Sequence, residues 1–343
     1  MILVNQSIIA KTLKYKELNT SSFVVPNIFV TVMAAIIEVN QLTKRFNEIT
    51  AVDDLSFTVQ QGDVYGFLGQ NGAGKSTTIR MLLGLIRPTS GSISIFNKDL
   101  ASFRESILRQ TGAIIEKPDL YNYLSAYDNV LFLAKISAKK VSRIQVMHFL
   151  EMVGLAQRSA SKVHTFSQGM KQRLGIAVAL VHDPSLIILD EPTNGLDPQG
   201  IADTRELIRN LSYQHGKTVL ICSHLLAEVE LMANRILIIH QGKKIVEGAA
   251  DELLDPSKTI VEIHTTDNGA AAALLQSTQW APYLRNPKQG HVVVQTDRSQ
   301  IPALIKQLVE NNIGIVSAQP RNSLEDYFLS VINPDTHVEP AAI

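Results

Sequence analysis

The chain of 343 residues is long enough for one large domain with a small one, or for two domains of moderate size. Its 32 basic and 32 acidic side chains balance to a formal net charge of zero, so no overall field favours nucleic acid or acidic lipid, and no nucleic-acid partner is expected. The single cysteine, Cys222, excludes an internal disulfide, and its apolar neighbours predict a buried thiol in a reducing compartment.

The N-terminal residues show neither a helical nor a strand period. We expect residues 1–34 to be an extension outside the first domain, disordered or upstream of a natural start at Met33, and a weak amphipathic helix at a membrane surface is the alternative. No stretch reaches the roughly 18 uninterrupted apolar residues of a membrane span, since the nearest candidate, 23–37, is short and contains Pro26 and Asn27. The sequence therefore predicts a soluble chain.

From residue 35 the pattern becomes regular. Segments 36–39 and 55–59 are typical of strands, and a polar turn follows at 60–62. Phe46 lies between the two strands, ahead of a glycine-rich stretch. An aromatic ring there could stack on adenine, whereas a lone phenylalanine is equally typical of a core, and the residues alone leave both alternatives open.

The glycine-rich stretch fits the pattern G-x-x-x-x-G-K-[ST] at every fixed position; it reads Gly69-Gln70-Asn71-Gly72-Ala73-Gly74-Lys75-Ser76-Thr77. Residues 63–68 before it predict a short buried strand, and residues 77–85 after it predict a helix. In that context the glycines let successive N–H groups point inward, and the helix N-terminus adds a partial positive charge. Lys75 would reach the β- and γ-phosphates of a nucleotide, and the Ser76 hydroxyl would ligate Mg²⁺. An accidental glycine-rich turn is the alternative, and the flanking strand and helix disfavour it.

Further strands are predicted at 91–96 and 112–115, and an inserted helical layer at 124–155 with an interruption near 137–142. A helix is then predicted from Lys171 to Val181. The run Ser167-Gln168-Gly169 at its N-terminal side is a second candidate anion site, although Ser and Gly also cap helices routinely.

Two apolar runs end in residues that could carry chemistry. The run 186–189 ends in Asp190 and Glu191; beside a phosphate loop, Asp190 would hold Mg²⁺ through water and Glu191 could polarise the attacking water. A solvated turn is the alternative, but a strand of this kind is buried, and burying an unpaired carboxylate is costly. The run 218–222 ends close to His224, on the carboxyl edge where an open α/β sheet binds ligand.

The rest of the chain predicts a closing hairpin, 236–240 and 243–247 with a turn at Gln241-Gly242, and then a change of pattern after Gly248. Strands are expected at 261–264, 292–294 and 313–316, and helices at 269–276, 302–311 and 323–331. We therefore expect a nucleotide-binding domain over 35–250 and a small C-terminal α+β domain over 251–343, in which no motif indicates chemistry.

The order of these motifs over 36–248 resembles the ATP-binding subunit of an ATP-binding-cassette (ABC) transporter. The runs 111–118 and 165–174 are most similar to the exporter branch that includes bacitracin-resistance and lantibiotic-immunity ATPases, and 323–328 resembles that branch weakly. The resemblance implies an α/β fold with a P-loop NTPase (RecA-like) core, an antiparallel β layer, an inserted helical subdomain and a small C-terminal α+β domain.

The resemblance also implies an ATPase and assigns roles. Phe46 would stack on adenine, residues 69–77 would hold the phosphates and Mg²⁺, and Asp190 would support the metal. Glu191 would act on the water, and His224 would contact the γ-phosphate.

Partners follow from the same resemblance. Ser167, Gln168 and Gly169 would close over the ATP of a second subunit, so that two subunits pair head to tail around two ATPs, as a homodimer or heterodimer, while Asp197 communicates between the sites. The pair would sit beneath a separate transmembrane permease, at the cytoplasmic face of the membrane.

Two positions depart from the family pattern. Glu116 occupies a loop position that usually holds Gln; its carboxylate could meet Mg²⁺ but adds a negative charge beside the phosphates. Phe166 replaces the usual Leu before Ser167. The alternatives to export are a soluble ABC ATPase that acts on ribosomes or DNA, and an importer ATPase; the chain has neither two cassettes nor a long coiled-coil insert, which disfavours the soluble class.

Overall fold

The structure, a computed structural model, describes residues 34–137, 141–254, 259–285 and 291–321 together with Leu324. The expected N-terminal extension and, apart from Leu324, the expected helix at 323–331 lie outside these residues. Among the helices in the described ranges, none is both long enough and apolar enough to cross a membrane.

The secondary structure alternates strands and helices along the chain. In chain order the strands are β1 (Ala35–Phe46), β2 (Ile49–Gln60), β3 (Val64–Leu68), β4 (Ser90–Ile95), β5 (Lys98–Asp99), β6 (Thr111–Ile114), β7 (Leu186–Asp190), β8 (Thr218–Ser223), β9 (Arg235–His240), β10 (Lys243–Ala249), β11 (Thr259–Thr265), β12 (Leu284–Arg285), β13 (Val292–Thr296) and β14 (Ile315–Arg321). The helices are α1 (Lys75–Leu82), α2 (Leu100–Leu108), α3 (Ala126–Ile136), α4 (Arg143–Met152), α5 (Gln168–Leu180), α6 (Pro198–Tyr213), α7 (Leu226–Glu230), α8 (Ala250–Leu253), α9 (Asn268–Gln276) and α10 (Ile301–Glu310).

The central sheet has the strand order β10-β9-β3-β8-β7-β6, in which only β10 runs antiparallel to its neighbour among the described strands. Every residue of β3, β7 and β8 is buried, as the continuous apolar runs of a parallel sheet require when both faces are covered. Because β3, β7 and β8 are parallel neighbours, their carboxyl ends meet at one edge. Leu68 pairs with Ser223, and Asp190 pairs with Cys222. The glycine loop, the two acids and His224 therefore lie at the same edge of the sheet.

The two faces of the central sheet pack into separate cores. On β3, Leu68 joins the core that contains helices α3 to α6, whereas Tyr65 and Phe67 join the core shared with the antiparallel sheet β2-β1-β4-β5. This division follows from the alternation of side chains along a strand. Helix α1 belongs to the second core through Ile79 and Met81, so the helix after the glycine loop is packed with the antiparallel sheet.

Several element ends differ from the predictions. The helix after the glycine loop ends at Leu82 instead of Leu85, because Gly84 takes a left-handed φ of 62°. There the N–H groups of Gly84 and Leu85 donate to the carbonyls of Met81 and Arg80, which closes the helix with a Schellman motif. Helix α5 starts at Gln168, three residues earlier than predicted, because Ser167 caps it. Strands β1 and β2 are also longer than predicted and meet in a tight hairpin, where Phe46 pairs with Ile49.

The C-terminal part from β11 has its own sheet, with the order β12-β13-β11-β14, and its own core around Val261, Trp280 and Leu304. Helices α9 and α10 lie close to the predicted positions. Leu324, however, is fully buried in the core that contains α3 to α6, and its backbone N–H donates to Glu230 Oε2 at 3.1 Å. The domain boundary between residues 250 and 251 stays a prediction.

Candidate functional site

The glycine loop follows β3 and adopts backbone angles that suit glycine. Gly72 has a φ of 81° and Gly74 a φ of 107°, both in the left-handed region. A Cβ on Gly74 would lie 2.5 Å from the carbonyl oxygen of Ala51, and a Cβ on Gly69 would lie 2.6 Å from that of Ile239. Close approach of β2 and β9 thus makes glycine necessary at both ends of the loop.

Helix α1 begins directly after the loop, at Lys75. Its N-cap residue, Gly74, provides no side-chain cap, and the first turn contains no acidic residue. The N–H groups of this turn and the helix dipole can therefore act on an anion. The loop itself is fixed from the β9–β10 turn, where the Gly242 N–H donates to the Ala73 carbonyl at 3.0 Å.

Lys75 is buried and lies along the loop. Its Nζ donates to the carbonyls of Gly69 at 2.7 Å and Gln70 at 3.2 Å. The same atom is 3.8 Å from Glu191 Oε1. The ammonium group is thus held at the loop, between backbone oxygens and a carboxylate, within reach of an anion that the loop binds.

Asp190, at the end of β7, is an orphaned buried acid. Its side chain is 1% exposed, and neither carboxylate oxygen has a hydrogen-bond partner. Burial raises the pKa of Asp190 above its ordinary value and Glu191 adds to the rise, while the nearby Ser76 hydroxyl and Lys75 ammonium oppose it. A carboxylate next to a hydroxyl is a suitable donor set for Mg²⁺, which prefers oxygen ligands and retains waters. No group of three or more His, Cys, Asp or Glu side chains suited to a metal occurs in the described ranges.

Glu191 is held by both of its oxygens. His224 Nδ1–H donates to Oε2 at 2.8 Å, Ser223 Oγ–H donates to the same oxygen at 3.4 Å, and Lys75 Nζ faces Oε1. The Glu191 backbone is left-handed, with a φ of 50°, and its N–H donates to the Cys222 carbonyl at 2.8 Å. This conformation is uncommon for a non-glycine residue and orients the carboxylate differently from that of Asp190. The arrangement can hold a carboxylate beside a bound phosphate.

Glu116, two residues after β6, has a left-handed φ of 62°. Its Oε1 accepts a hydrogen bond from Arg80 Nη2 at 3.0 Å. The Glu116 side chain is 68% exposed and that of Arg80 47% exposed. Glu116 is thus paired with helix α1 in this structure.

The remaining predicted residues are at exposed positions, except Gly169, which is half-buried. Ser167 and Asp197 are the N-caps of α5 and α6, where they accept hydrogen bonds from the N–H groups of Met170 at 3.3 Å and Gly200 at 2.9 Å. A Cβ on Gly169 would be 3.6 Å from the Gly200 Cα, so the two helix N-termini are adjacent. Within the described part of the chain, no hydrogen bond or ion pair joins these two caps to the glycine loop.

Phe46 is 46% exposed at the end of β1, with Lys44 Nζ 4.9 Å from its ring centre.

Sequence reasoning missed two residues that contact the site. Arg80 was visible only as a basic residue in a helix, and its partner Glu116 is 36 positions away. Gly242 was predicted as a turn residue, but its bond to Ala73 depends on how the β9–β10 hairpin meets the loop. Neither contact leaves a local signal in the sequence.

Three comparisons connect this geometry to known proteins. A family model described as "ABC transporter" matches residues 52–194, a range that contains the glycine loop, Asp190 and Glu191. The bacitracin transport ATP-binding protein BcrA of Bacillus licheniformis is 43% identical over 306 residues, which are 89% of this chain and 99% of that protein. The lantibiotic transport ATP-binding protein SrtF of Streptococcus pyogenes is 44% identical over 215 residues, 63% of this chain and 91% of that protein. Among solved structures, the ATP-binding cassette MJ0796, in a dimeric post-hydrolysis state bound to ADP and Pi, has a TM-score of 0.56 and 25% identity, with 62% of this chain and 98% of that one covered.

Proposed function

The chain belongs to the ABC transporter family as an ATP-binding subunit that hydrolyses ATP, and from that premise we propose that it drives export through a separate transmembrane permease. The observation that carries this proposal is the similarity to BcrA over 99% of that protein, which extends beyond the nucleotide-binding part into the C-terminal part. The proposed cargo is a drug, a peptide antibiotic or a similar compound. The chain would act at the cytoplasmic face of the membrane, bound peripherally through the permease.

Nucleotide binding would begin at the glycine loop. The loop N–H groups and the first turn of α1 would donate to the phosphates, and Lys75 would move from the Gly69 and Gln70 carbonyls to the β- and γ-phosphates. Phe46 is exposed enough to stack on adenine, and the cation next to its ring would move aside.

The donor set fits Mg²⁺, because Asp190 has two buried oxygens without partners next to the Ser76 hydroxyl. Ser76 would ligate the ion directly and Asp190 would hold it through water. When bound, Mg²⁺ supplies positive charge that offsets the charge of the phosphates. Its arrival would also remove the cost of keeping the Asp190 carboxylate buried without a partner.

Hydrolysis would depend on Glu191. Its carboxylate, fixed by His224 and Ser223, would orient a water in line with the γ-phosphate and accept its proton. His224, 32% exposed, would hold Glu191 with one ring nitrogen and contact the γ-phosphate with the other. The left-handed backbone of Glu191 supports these separate roles, because it orients the Glu191 carboxylate, which would act on the water, differently from the Asp190 carboxylate, which would hold the metal.

The working unit would be a head-to-tail pair. Ser167, Gln168 and Gly169 would close over the ATP of the second subunit, and Asp197 would lie between the two sites. Both helix N-termini are exposed, and among the residues that the structure describes they make no hydrogen bond or ion pair to the loop of the same chain, which supports this arrangement, as does the dimeric state of MJ0796. Whether the partner is a second copy or a related chain follows from which subunits co-purify.

A resistance assay tests the proposal. The chain is expressed in a sensitive host together with a candidate permease subunit from the same source, and the minimal inhibitory concentrations of bacitracin and a lantibiotic are measured. We expect the wild type to raise at least one of them and Lys75→Ala to lose the effect at equal protein level. Lys306→Ala, which removes a 74% exposed lysine, is the matched control and should retain resistance. Unchanged susceptibility together with co-sedimentation on ribosomes would contradict export and favour a soluble ABC ATPase.

A further inference from the structure

Helix α1 reaches both glutamates that follow the strands β6 and β7. Its first residue, Lys75, faces Glu191 at 3.8 Å, and Arg80 in its last turn donates to Glu116 at 3.0 Å. Glu116 and Glu191 both have left-handed backbones, with φ values of 62° and 50°. Each glutamate therefore leaves its strand in a strained conformation and is met by a cation from the same helix.

Glu116 also lies at the edge of the central sheet that carries Asp190 and Glu191. Strands β6 and β7 are parallel, and Ile114 pairs with Leu189. Two residues beyond this pair, the same register aligns Glu116 with Glu191, the first residue after β7. The negative charge of Glu116 also contributes to the raised pKa of Asp190, which agrees with that proximity.

We propose that Arg80 is a positioning residue that holds the Glu116 carboxylate away from the phosphate and metal site until Mg²⁺ and nucleotide are bound. This inference rests on the proposed function of the site. Without Arg80, the carboxylate is free to turn toward the glycine loop, where it repels the phosphates of metal-free ATP. Mg²⁺ reverses the effect, because the same carboxylate then faces a cation.

The strength of the pair suits a contact that opens in each cycle. Both side chains are substantially exposed, and exposed ion pairs contribute little to stability, so a bound metal ion can displace Arg80 at little cost. A buried pair of the same geometry would be costly to break once per turnover.

A simpler role for Arg80 makes a different prediction. As a basic residue in the last turn of α1, Arg80 also interacts favourably with the helix dipole and adds positive charge near the phosphates. Loss of that charge would weaken ATP binding equally whether position 116 is Glu or Gln. Loss of the positioning contact weakens binding only when the Glu116 carboxylate is present. The two roles are therefore separated by a double-mutant cycle.

The cycle consists of the wild type, Arg80→Gln, Glu116→Gln and the double variant, titrated with ATP in EDTA and again in Mg²⁺. In EDTA we expect Arg80→Gln to raise the Kd about 2- to 5-fold with Glu116 present, and to have less than half that effect with Gln at 116. In Mg²⁺ the Kd effect of Arg80→Gln with Glu at 116 should shrink toward the effect with Gln at 116, or change sign. Arg80→Lys, which retains a cation for Glu116, should restore the wild-type Kd. Arg109→Gln, which breaks an exposed Arg–Glu pair with Glu105 on α2, should leave every Kd unchanged.

Melting temperatures complete the test, since a merely structural ion pair would lower the melting temperature of Arg80→Gln with Glu at 116 without any Kd effect that depends on Mg²⁺. Equal Kd effects with Glu and Gln at 116, or effects independent of Mg²⁺, overturn the positioning role while nucleotide binding by the wild type still supports the proposed function. Failure of the wild type to bind ATP overturns the proposed function itself, and the positioning role with it.

Discussion

Glu191→Gln removes the charge and the proton-accepting capacity of this side chain while it retains the shape. Gln has nearly the same shape, and its carbonyl can still accept the hydrogen bond from His224 Nδ1, but it cannot take a proton from water. General-base assistance typically supplies about 10²–10⁴-fold in rate, or roughly 2.7–5.4 kcal/mol of barrier. We therefore expect turnover to fall by that range while the fold and the site remain intact.

The same substitution has a calculable effect on binding. The Lys75–Glu191 ion pair spans 3.8 Å with Glu191 19% exposed, and a partly exposed pair of this length contributes up to about 1 kcal/mol. Loss of this pair frees Lys75 for the phosphates. The Glu191→Gln variant should therefore bind ATP as tightly as the wild type or up to about 5-fold more tightly. Weaker binding would contradict the inferred competition between Glu191 and the phosphates for Lys75.

The assay combines phosphate release, nucleotide titration and size-exclusion chromatography with ATP and Mg²⁺. Glu247→Gln is the matched control, because Glu247 is similarly buried, accepts a hydrogen bond from Tyr65 Oη at 2.8 Å and pairs with Lys244, but lies on β10, the edge strand beyond β9. Unhydrolysed ATP should hold two Glu191→Gln subunits together through Ser167. Full turnover would remove Glu191 from the mechanism. Lost turnover without more dimer would refute the ATP-bridged pair for the isolated subunit only.

Three further substitutions test other parts of the site and the fold. Lys75→Ala should weaken ATP binding by about 1.5–3 kcal/mol, or roughly 10- to 150-fold, and an unchanged Kd in titration would contradict the phosphate site. Asp190→Asn should stabilise the metal-free chain at neutral pH by on the order of 1 kcal/mol and abolish its stabilisation by Mg²⁺ with ATP. Because the pKa of Asp190 is raised, the wild type takes up a proton as the pH falls, so this gain should shrink in calorimetry at lower pH, and a constant gain would refute the assignment to charge burial. Leu324→Ala should cost about 2–5 kcal/mol in denaturant unfolding, whereas Val316→Ala, at a 70% exposed position, should change stability by less than about 0.5 kcal/mol.

The elements that carry the site were predictable because their signals are local. The apolar runs of β3, β7 and β8 predicted buried strands, and parallel order alone brings their carboxyl ends to one edge. Helix α6 was not predicted although its signals are present, since Asp197 is a typical N-cap and Pro198 a typical first residue. Its buried side chains recur at helical spacing, at Thr204, Leu207, Ile208 and Leu211.

The contacts that fix the site could not be predicted in the same way. The pairing of Arg80 with Glu116 and the bond from Gly242 to Ala73 each join segments that only the folded sheet brings together. The left-handed backbones of Glu116 and Glu191 have no sequence signal either, because glutamate does not favour that region. A motif thus predicts which residues meet the nucleotide, while tertiary contacts decide how each one is held before the nucleotide arrives.

The C-terminal part illustrates the difference between a change of pattern and a unit that folds alone. The sequence pattern changes after Gly248, and the sheet from β11 onward has a separate core. Leu324 nevertheless packs in the same core as Val229 and Met232, and its backbone N–H donates to the carboxylate of Glu230, the last residue of α7, a helix that begins two residues after His224. A chain cut after Gly248 therefore loses a fully buried side chain next to the segment that carries His224. Removal of the C-terminal part is for that reason expected to affect the stability of the nucleotide-binding part, and not only pairing or regulation.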